Sequence, residues 1–234
     1  MKFTSSLLKG RLVLRYKRFL ADIELENGEH ITAHCANPGS MAGLKAPGCP
    51  VWVAKTDNPK RKLKYDWHII EEPEHGVLVG IHTNWPNKLV AEALKADHIP
   101  ELAGYDAIRP EVKYGKNSRI DFLLEREGHP PCYVEVKSIT FSRIQGLAEF
   151  PDSPTARGTK HLGELQAMAE QGARAVMLYV IQREDCQRFT IAKDIDPAYE
   201  KARIEAQKSG LESLAYACKI TPQEIYITTP VRIV

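Results

Sequence analysis

The sequence predicts a protein of two domains: a small closed β-barrel over residues 1–82, and an α/β domain with a central mixed sheet over residues 83–234. Three observations predict this architecture. The length of 234 residues suits one or two domains. The first third of the chain holds short strand-like segments separated by Gly and Pro, a pattern typical of small barrels. After Asn84 the pattern changes to helices that alternate with strands, which indicates an α/β domain.

The barrel is predicted from five strand-like segments. Apolar and polar residues alternate over the first segment, and Asn27-Gly28 is a strong hairpin signal within the barrel. A loop rich in Pro and Gly covers residues 34–43. The predicted segments are residues 12–25, 30–34, 48–55, 61–72 and 76–83. An SH3-like barrel fits this pattern as well.

The second domain is predicted to begin with a helix, because apolar residues recur at helical spacing after Asn84 and Pro86. Three strands follow, then a helix that stops at Gly172, a strand of the buried type, a helix that stops at Gly210 and a last strand. These elements cover residues 87–97, 107–115, 118–125, 132–141, 158–172, 175–182, 198–210 and 211–220.

The composition excludes several classes of protein. Hydrophobic residues make up 43% and charged residues 26% of the chain, which excludes disordered and fibrous proteins. No apolar run approaches the ~18 residues of a membrane span, so no membrane association is expected. The five cysteines are scattered and never form a CxxC pair. Their pattern favours reduced thiols in the cytoplasm over a disulfide framework or a zinc site.

Charge is distributed unevenly along the chain. Residues 1–66 hold 12 Lys and Arg against 6 Asp and Glu, a net charge of +6. Residues 67–234 hold 20 against 24, a net charge of −4. A basic first part indicates a polyanionic partner for the barrel.

The sharpest functional signal is Asp121 followed by Glu135 and Lys137. Glu135 and Lys137 are two residues apart on a predicted strand and therefore point to the same face of the sheet. The intervening residues 126–131 include Gly and Pro and predict an antiparallel hairpin. This hairpin would place Asp121 and Glu135 on neighbouring strands.

Two carboxylates and a lysine on one sheet face suit metal-dependent hydrolysis of a phosphodiester. Carboxylates are hard oxygen ligands for Mg²⁺ or Mn²⁺, and such a metal polarises a phosphoryl oxygen and acidifies its bound water. The lysine supplies positive charge at the reacting phosphate. Cross-strand charge pairing is the alternative explanation of a Glu-x-Lys pair. The position of Asp121 inside an otherwise apolar strand favours the metal site.

Asp121 followed by Glu135-Val136-Lys137, in the order helix, three strands, helix and strand, resembles the PD-(D/E)xK nuclease superfamily. More closely, the chain resembles the bacterial and archaeal sugar fermentation stimulation protein family. The matching stretches are RYKRFLAD, HCANPGSM, TDNPKRK, TNWPNKLVAEAL, EVKYGKNSRIDFLL, CYVEVKS and FPDSPTARGTKHLGEL. This resemblance implies an N-terminal OB-type barrel, a C-terminal nuclease-like domain and DNA binding. Members are described chiefly as DNA-binding regulatory proteins.

The resemblance also implies roles for individual residues. Asp121 and Glu135 would be metal ligands, the main-chain carbonyl of Val136 would add a third oxygen, and Lys137 would be the catalytic lysine.

The superfamily often adds a carboxylate from the first helix or strand. Glu92 and Glu111 are the candidates here, and Glu111 is preferred because it lies nearer in the predicted sheet. The alternative is a solvated Glu111 that pairs with Lys113.

Cationic residues near this centre are candidate phosphate ligands. Many superfamily members place a polar residue on the second helix, and Lys160 and His161 lie near its predicted start, where phosphate binding is physically reasonable. Arg119 and Arg157 can each bind phosphate through two hydrogen bonds. Solvation, or pairing with a carboxylate, explains all four residues as well.

Cations are mixed with aromatic residues in two segments of the barrel. These are Arg15, Lys17 and Arg18 around Tyr16, and Lys60, Arg61, Lys62 and Lys64 around Tyr65 and Trp67. A barrel that binds single-stranded nucleic acid needs a positive groove and aromatic faces for stacking. The alternative places Tyr16 and Trp67 in the core of a barrel with a charged outer face.

Two functions follow from these observations. In the first, the protein is a DNA-binding nuclease that uses Mg²⁺ or Mn²⁺, and a double-strand cutter of this class would act as a homodimer. In the second, it is a non-specific DNA-binding regulator of sugar metabolism that keeps the nuclease fold without cleaving.

Overall fold

The computed structural model describes residues 1–115 and 118–234; Lys116 and Asn117, which belong to the sequence motif EVKYGKNSRIDFLL, lie outside the described residues. The N-terminal part forms a sheet in the order β3-β2-β1-β4-β5-β6. Its strands are β1 (Leu8–Tyr16), β2 (Leu20–Leu25), β3 (His30–Cys35), β4 (Pro50–Lys55), β5 (Tyr65–Glu71) and β6 (Leu78–Gly80). A parallel pairing of β3 with β5 closes the first five strands into a barrel. The predicted five-stranded barrel is therefore confirmed.

Strand alternation builds the barrel core. Every second side chain of β2 and β3 is buried, and Trp67 of β5 is 0% exposed at the centre of the cluster. The hairpin predicted at Asn27-Gly28 joins β2 to β3, and the N–H of Leu25 donates to the carbonyl of Glu29 at 2.9 Å. Gly28 has a φ of 83°, a conformation that favours glycine.

A central mixed sheet and three helices form the second domain. The helices are α1 (Trp85–Lys95), α2 (Ala156–Glu170) and α3 (Pro197–Lys208), and a 3-10 turn covers Pro100–Leu102. The strands, in spatial order, are β15 (Ile225–Pro230), β14 (Glu212–Ile220), β12 (Arg174–Ile181), β9 (Cys132–Ile139), β8 (Ser118–Glu125) and β7 (Ala107–Tyr114). Strand β12 runs parallel to β9 and β14, and the other neighbours are antiparallel. The predicted mixed sheet is confirmed.

Helices cover both faces of the central sheet. Leu89 of α1 packs in one apolar cluster with Val134 and Val136 of β9. Leu162 of α2 packs in a second cluster, which includes Ile139 of β9. Because successive side chains of a strand point to opposite faces, the odd-numbered residues of β9 lie towards α2.

A second, four-stranded sheet lies outside the predicted elements, apart from Phe141, the last residue of the predicted strand 132–141. Its strands, in spatial order, are β10 (Phe141–Ile144), β11 (Leu147–Phe150), β13 (Arg188–Ile191) and β16 (Arg232–Ile233). Strands this short carry too few residues for a periodic pattern to be recognised. Strand β11 pairs in parallel with β13, so tertiary contact defines this sheet rather than local sequence.

The two domains meet where the Pro/Gly-rich loop of the barrel contacts Asp152. The hydroxyl of Ser40 donates to the carboxylate of Asp152 at 3.1 Å, and the N–H of Met41 donates to the same carboxylate at 3.1 Å. A Cβ atom on Gly39 would lie 2.7 Å from that carboxylate, so glycine permits the close approach. A cavity of about 160 Å³ at this junction is lined in part by Asn37 and Ser138.

The helices and the cysteines bear on the classes of protein that the composition excluded. Within the described residues, no helix is long and apolar enough to cross a membrane. All five cysteines are buried free thiols. Burial raises the pKa of Cys132 to about 11, which keeps this thiol protonated and unreactive.

Candidate active centre and nucleic-acid surface

The β8–β9 hairpin places Asp121 next to Glu135. The antiparallel ladder of the hairpin extends to the pair Phe122 and Val134, and Asp121 and Glu135 are the next residues of the two strands. The carboxylate of Asp121 then accepts a hydrogen bond from the main-chain N–H of Val136 at 2.7 Å. The N–H and C=O of a strand residue point to the same edge, so the carbonyl of Val136 also faces β8.

Helix α1 supplies the second contact to Asp121. The side-chain amide of Asn87 donates to the other carboxylate oxygen at 2.7 Å. Burial, and then the negative charge of Glu135, raise the pKa of Asp121 to about 6, and the hydrogen bonds from Val136 and Asn87 oppose this rise. A divalent cation beside Asp121 would favour its ionised form.

Glu135 is the most enclosed acidic group of the centre, with 3% of its surface exposed. Its Oε1 atom accepts hydrogen bonds from Lys137 Nζ at 2.7 Å and from His161 Nδ1. Burial acts to raise the pKa of Glu135, but the hydrogen bond from His161 and the positive charge of Lys137 outweigh it and lower the pKa. Glu135 is therefore held as a carboxylate by two donors on one of its oxygens.

The N-terminal half of α2 supplies His161 and Arg157. The hydroxyl of Thr155 caps the helix by accepting from the N–H of Gly158 at 3.1 Å. His161 lies one turn inside and is buried against Glu135. Arg157, at the exposed start of the helix, places its Nε atom 3.4 Å from His161 Nε2. Arg157, His161 and Glu135 therefore form a line from the protein surface to the buried carboxylate.

Several buried oxygen atoms near Glu135 have no hydrogen-bond partner among the described residues. They are Glu135 Oε2, the hydroxyl of Tyr114 and both carboxylate oxygens of Glu164. Burial, and then the negative charges of Glu135, Glu164 and Asp121, raise the pKa of the Tyr114 phenol. Such unpaired buried oxygens commonly bind water or an ion, and hard oxygen donors are the ligands that Mg²⁺ and Mn²⁺ prefer. The residues present fit a divalent cation.

The structure separates the two candidates for an additional carboxylate. Glu111 lies between Pro110 and Val112, whose ladder partners Phe122 and Ile120 flank Asp121, and it has a φ of 55° and an exposed side chain. Glu92 is exposed on α1, where its carboxylate lies 2.7 Å from the N-terminal ammonium of Met1. Glu92 is therefore directed towards the chain terminus, whereas the backbone of Glu111 lies at the level of Asp121 in the sheet. Arg119 lies two residues before Asp121 on β8. It is also exposed, and it pairs with Lys113 in the β7–β8 ladder.

Among the described residues, one group of three acidic or histidine side chains has ligand atoms within 4.8 Å of one another: Glu72, Glu74 and His75. It lies in the turn between β5 and β6. Glu72 accepts from the N–H groups of Glu74 at 3.1 Å and His75 at 2.9 Å, so its carboxylate caps the turn. The centre at Asp121 and Glu135 is instead held together by protein hydrogen bonds.

The predicted basic residues of the barrel fall into two groups. Arg15 and Arg61 are half-buried and bonded to groups of the protein itself. Arg15 donates to the carbonyls of Asn37 at 2.9 Å and Gly39 at 3.0 Å, and Arg61 forms a two-pronged ion pair with Asp66. The exposed residues are Lys17 and Arg18 in the β1–β2 turn and Lys60 and Lys62 in the β4–β5 loop. Lys160 is exposed on α2.

The aromatic residues expected to stack with bases are mostly internal. Trp67 and Tyr65 belong to the barrel core, and the hydroxyl of Tyr16 donates to Asp22 at 3.2 Å. Phe19, which follows the exposed basic pair in the β1–β2 turn, is instead 46% exposed. Its ring stacks with His34 at 6.5 Å between centroids.

Sequence reasoning missed Asn87, Tyr114 and Phe19, and it noted Glu164 on the polar side of α2 without assigning it a role. Glu164 follows His161 by three residues, a helical spacing that places both on one face, so this signal was present. Asn87 lies in the motif TNWPNKL, but nothing local indicates which polar residue of a first helical turn faces a sheet.

Two family descriptions match the chain. "Sugar fermentation stimulation protein RE domain" covers residues 84–224, and "SfsA N-terminal OB domain" covers residues 13–81. The second match confirms the OB-type barrel that the resemblance implied.

Full-length relatives and a solved structure agree with these matches. The chain is 52% identical over 233 residues to the sugar fermentation stimulation protein homolog of Maricaulis maris, covering 100% of this chain and 98% of the relative. It is 56% identical over 227 residues to the homolog of Ruegeria sp. (strain TM1040), covering 97% of each. The structure of Pyrococcus furiosus SfsA in complex with Ca²⁺ superimposes with a TM-score of 0.88 at 24% identity, over 100% of this chain and 98% of that one. At this identity the likeness shows the fold alone.

Proposed function

The chain belongs to the sugar fermentation stimulation protein family, and we propose that it is a nuclease that cleaves DNA with Mg²⁺ or Mn²⁺. One observation carries the proposal. The buried carboxylate of Glu135 contacts Lys137 Nζ at 2.7 Å, keeps its Oε2 atom unpaired among the described residues, and lies on the strand next to Asp121. Paired carboxylates beside a lysine are the residues that metal-assisted hydrolysis of a phosphodiester uses.

Asp121, Glu135 and the main-chain carbonyl of Val136 would hold the cation, and the sequence offers Glu111 only as a candidate for an additional carboxylate. When bound, the cation would stabilise charge on the phosphoryl group and lower the pKa of a coordinated water. Asn87 and the N–H of Val136 orient the carboxylate of Asp121 from two sides, at 2.7 Å each. Such support for a ligand raises the affinity of a metal site.

Lys137 is the proposed catalytic lysine. Its ammonium lies 2.7 Å from Glu135 Oε1 and 3.5 Å from His161 Nδ1, so it is fixed at the centre before substrate arrives. A fixed positive charge there stabilises the negative charge that develops on the reacting phosphate. Arg157 and Lys160, both exposed near the start of α2, are the proposed ligands of neighbouring phosphates.

The barrel is the proposed nucleic-acid-binding domain. OB-folds bind oligonucleotides across the second and third strands and through the loops that follow the first and fourth strands. The exposed cations Lys17, Arg18, Lys60 and Lys62 lie in those two loops. Phe19 adds an exposed aromatic face beside them.

The deciding experiment is a cleavage panel over single-stranded, duplex and branched DNA, and over RNA, with Mg²⁺ or Mn²⁺. Wild-type protein is expected to cleave DNA, and Lys137→Met is expected to lose about 10²-fold or more in rate. Asp121→Asn is expected to lose cleavage together with cation binding. Both variants should keep the wild-type affinity for DNA in EDTA, measured by fluorescence anisotropy.

Two results would overturn this proposal. Full activity in Lys137→Met would remove the centre from the reaction. No cleavage of any substrate by wild-type protein, combined with salt-dependent DNA binding, would support the non-cleaving regulator instead. Sedimentation of the protein with duplex DNA would test the homodimer expected of a double-strand cutter.

A further inference from the structure

Glu164 has no role in the site derived so far, although it is the next acidic side chain beyond Glu135 on the α2 side of the sheet. Its side chain is 12% exposed, and neither of its carboxylate oxygens has a hydrogen-bond partner among the described residues. The nearest described cation is Lys160, whose Nζ lies 3.6 Å from Glu164 Oε1 and whose side chain is half exposed. A flexible surface lysine at this distance leaves most of the carboxylate's hydrogen-bonding capacity unused.

Helix geometry directs Glu164 to the centre. Glu164 lies three residues after His161, which contacts Glu135, so both side chains lie on one helix face. Glu164 also lies over the end of β7, because a Cβ atom on Gly115 would come within 3.3 Å of its carboxylate. The residue before Gly115 is Tyr114, whose buried hydroxyl is unpaired among the described residues.

Two other buried side chains in this region also carry an unpaired oxygen, and the charges of Glu135 and Glu164 both act on Tyr114. Glu135 and Tyr114 are 3% and 8% exposed, and each has a buried oxygen without a partner in the part of the chain that the structure describes. A buried polar group without a partner destabilises the folded state, and more so if it is charged. Native proteins rarely keep several such groups together unless water or an ion binds them.

The local charge favours a cation. Half-buried Lys137 pairs with Glu135, and half-exposed Lys160 lies 3.6 Å from Glu164, whereas no described cation forms an ion pair with Asp121. The three carboxylates therefore outnumber these two ammonium groups, an excess of negative charge that a divalent cation would offset. All the unpaired donors are oxygens, which suits Mg²⁺, Mn²⁺ or Ca²⁺.

We propose that Glu164 is the third carboxylate ligand of the cation centre, with the Tyr114 hydroxyl as a hydrogen-bond donor to the ligand shell. The proposal rests on the cation centre of the proposed function and replaces Glu111 as its additional carboxylate. The centre then reaches from the β8–β9 hairpin onto α2. A cation would also hold α2 against the sheet.

The test measures binding of Mn²⁺ and Ca²⁺ by calorimetry, without substrate, in wild-type protein and four variants. Glu164→Gln keeps the volume of the side chain and removes its charge, and it is expected to weaken binding at least about 10-fold. Glu170→Gln is the matched control, because Glu170 is exposed on the same helix and contacts Gln166 and Ser209. Asp121→Asn should abolish binding, and Glu111→Gln should bind as tightly as wild-type protein.

Thermal unfolding gives a second readout. Without cation, Glu164→Gln should melt at or above the wild-type temperature, because an unpaired buried charge has been removed. The rise in melting temperature that Mn²⁺ causes in wild-type protein should shrink in this variant. A purely structural Glu164 would instead lower the melting temperature of the cation-free protein.

The outcomes separate the two proposals. If Asp121→Asn loses the cation and Glu164→Gln keeps it, the centre stands and the role of Glu164 is wrong. If Glu111→Gln loses affinity and Glu164→Gln does not, Glu111 is the third carboxylate. If wild-type protein binds neither cation, both proposals fail.

Discussion

The side-chain amide of Asn87 donates a hydrogen bond to the carboxylate of Asp121 at 2.7 Å. This contact joins the first turn of α1 to the β8–β9 hairpin, although the two residues are far apart in sequence. The N–H of Val136 donates to the other carboxylate oxygen. The two hydrogen bonds together fix the orientation of the Asp121 carboxylate. Asn87 is therefore a positioning residue for the proposed cation ligand.

We expect Asn87→Ala to bind Mn²⁺ about 10-fold more weakly than wild-type protein, because a support of a metal ligand is lost. Calorimetric titration measures this, and Lys88→Gln, at the exposed neighbouring position, is the matched control. Equal Mn²⁺ affinity in Asn87→Ala and wild-type protein would contradict the positioning role.

Some basic residues of the barrel should contribute to DNA binding and others to the stability of the fold. Replacing exposed Lys17 and Arg18 together by Gln should weaken DNA binding and reduce the slope of log K against log salt by about 1–2, since each phosphate contact contributes about 0.7–0.9. The melting temperature should change little. Anisotropy titrations over a range of salt concentrations measure the slope.

Arg15→Gln should show the opposite pattern. Its guanidinium donates to the carbonyls of Asn37 and Gly39, so its loss should lower the melting temperature and leave the salt slope unchanged. If Arg15→Gln reduces the slope as much as the double variant does, Arg15 contacts phosphate and this division is wrong.

His68 should make the protein less stable in acid. It packs against Trp85 at 4.7 Å and His82 at 5.2 Å between ring centroids, and its Nδ1 atom is buried without a described partner. Burial, and then the nearby His82, lower the pKa of His68 from 6.5 to about 3. Between these values the unfolded chain binds a proton that the folded protein excludes. Stability should therefore fall by about 1.4 kcal/mol per pH unit as the pH drops below 6.5.

Urea unfolding of wild-type protein and His68→Gln between pH 7 and pH 4.5 tests this expectation. In the variant, the free energy of unfolding should depend less steeply on pH, by the amount that one bound proton contributes. His30→Gln, at an exposed position, is the control for removing one histidine. Parallel stability curves for wild type and His68→Gln would show that His68 does not contribute.

Asp152 should hold the two domains together. Asp152→Ala leaves the N–H of Met41 without its acceptor and leaves the hydroxyl of Ser40 only the main-chain carbonyl of residue 152, so it should cost about 1–3 kcal/mol in the free energy of unfolding. Asp152→Asn keeps one acceptor oxygen and should lose less. Gly39→Ala should also destabilise, because its Cβ would meet the Asp152 carboxylate at 2.7 Å. Urea unfolding that is unchanged in Asp152→Ala would contradict this role.

The local periodicity of the sequence was enough to predict much of the architecture. It also predicted that Asp121, Glu135 and Lys137 lie together in the candidate active centre. Strand alternation is a property of neighbouring residues, so Glu135 and Lys137 had to share a face once β9 was recognised. The turn residues between β8 and β9 then brought Asp121 alongside, because a hairpin joins strands that are close in sequence. The closed barrel and the mixed sheet followed from the same kind of local pattern.

Tertiary packing decided the rest. Asn87, Tyr114 and Glu164 reach the centre only because α1 and α2 dock on opposite faces of the sheet and β7 pairs at its edge, and no periodicity within a segment encodes such docking. The charge of a side chain also does not reveal whether it bonds within the protein or faces solvent. Arg15 donates to main-chain carbonyls, whereas Lys17 is exposed. The sequence by itself determined which charged residues the hairpin brings together. The tertiary structure decided which distant side chains surround it, because hydrogen-bond satisfaction in a buried site depends on segments that meet only in the folded chain.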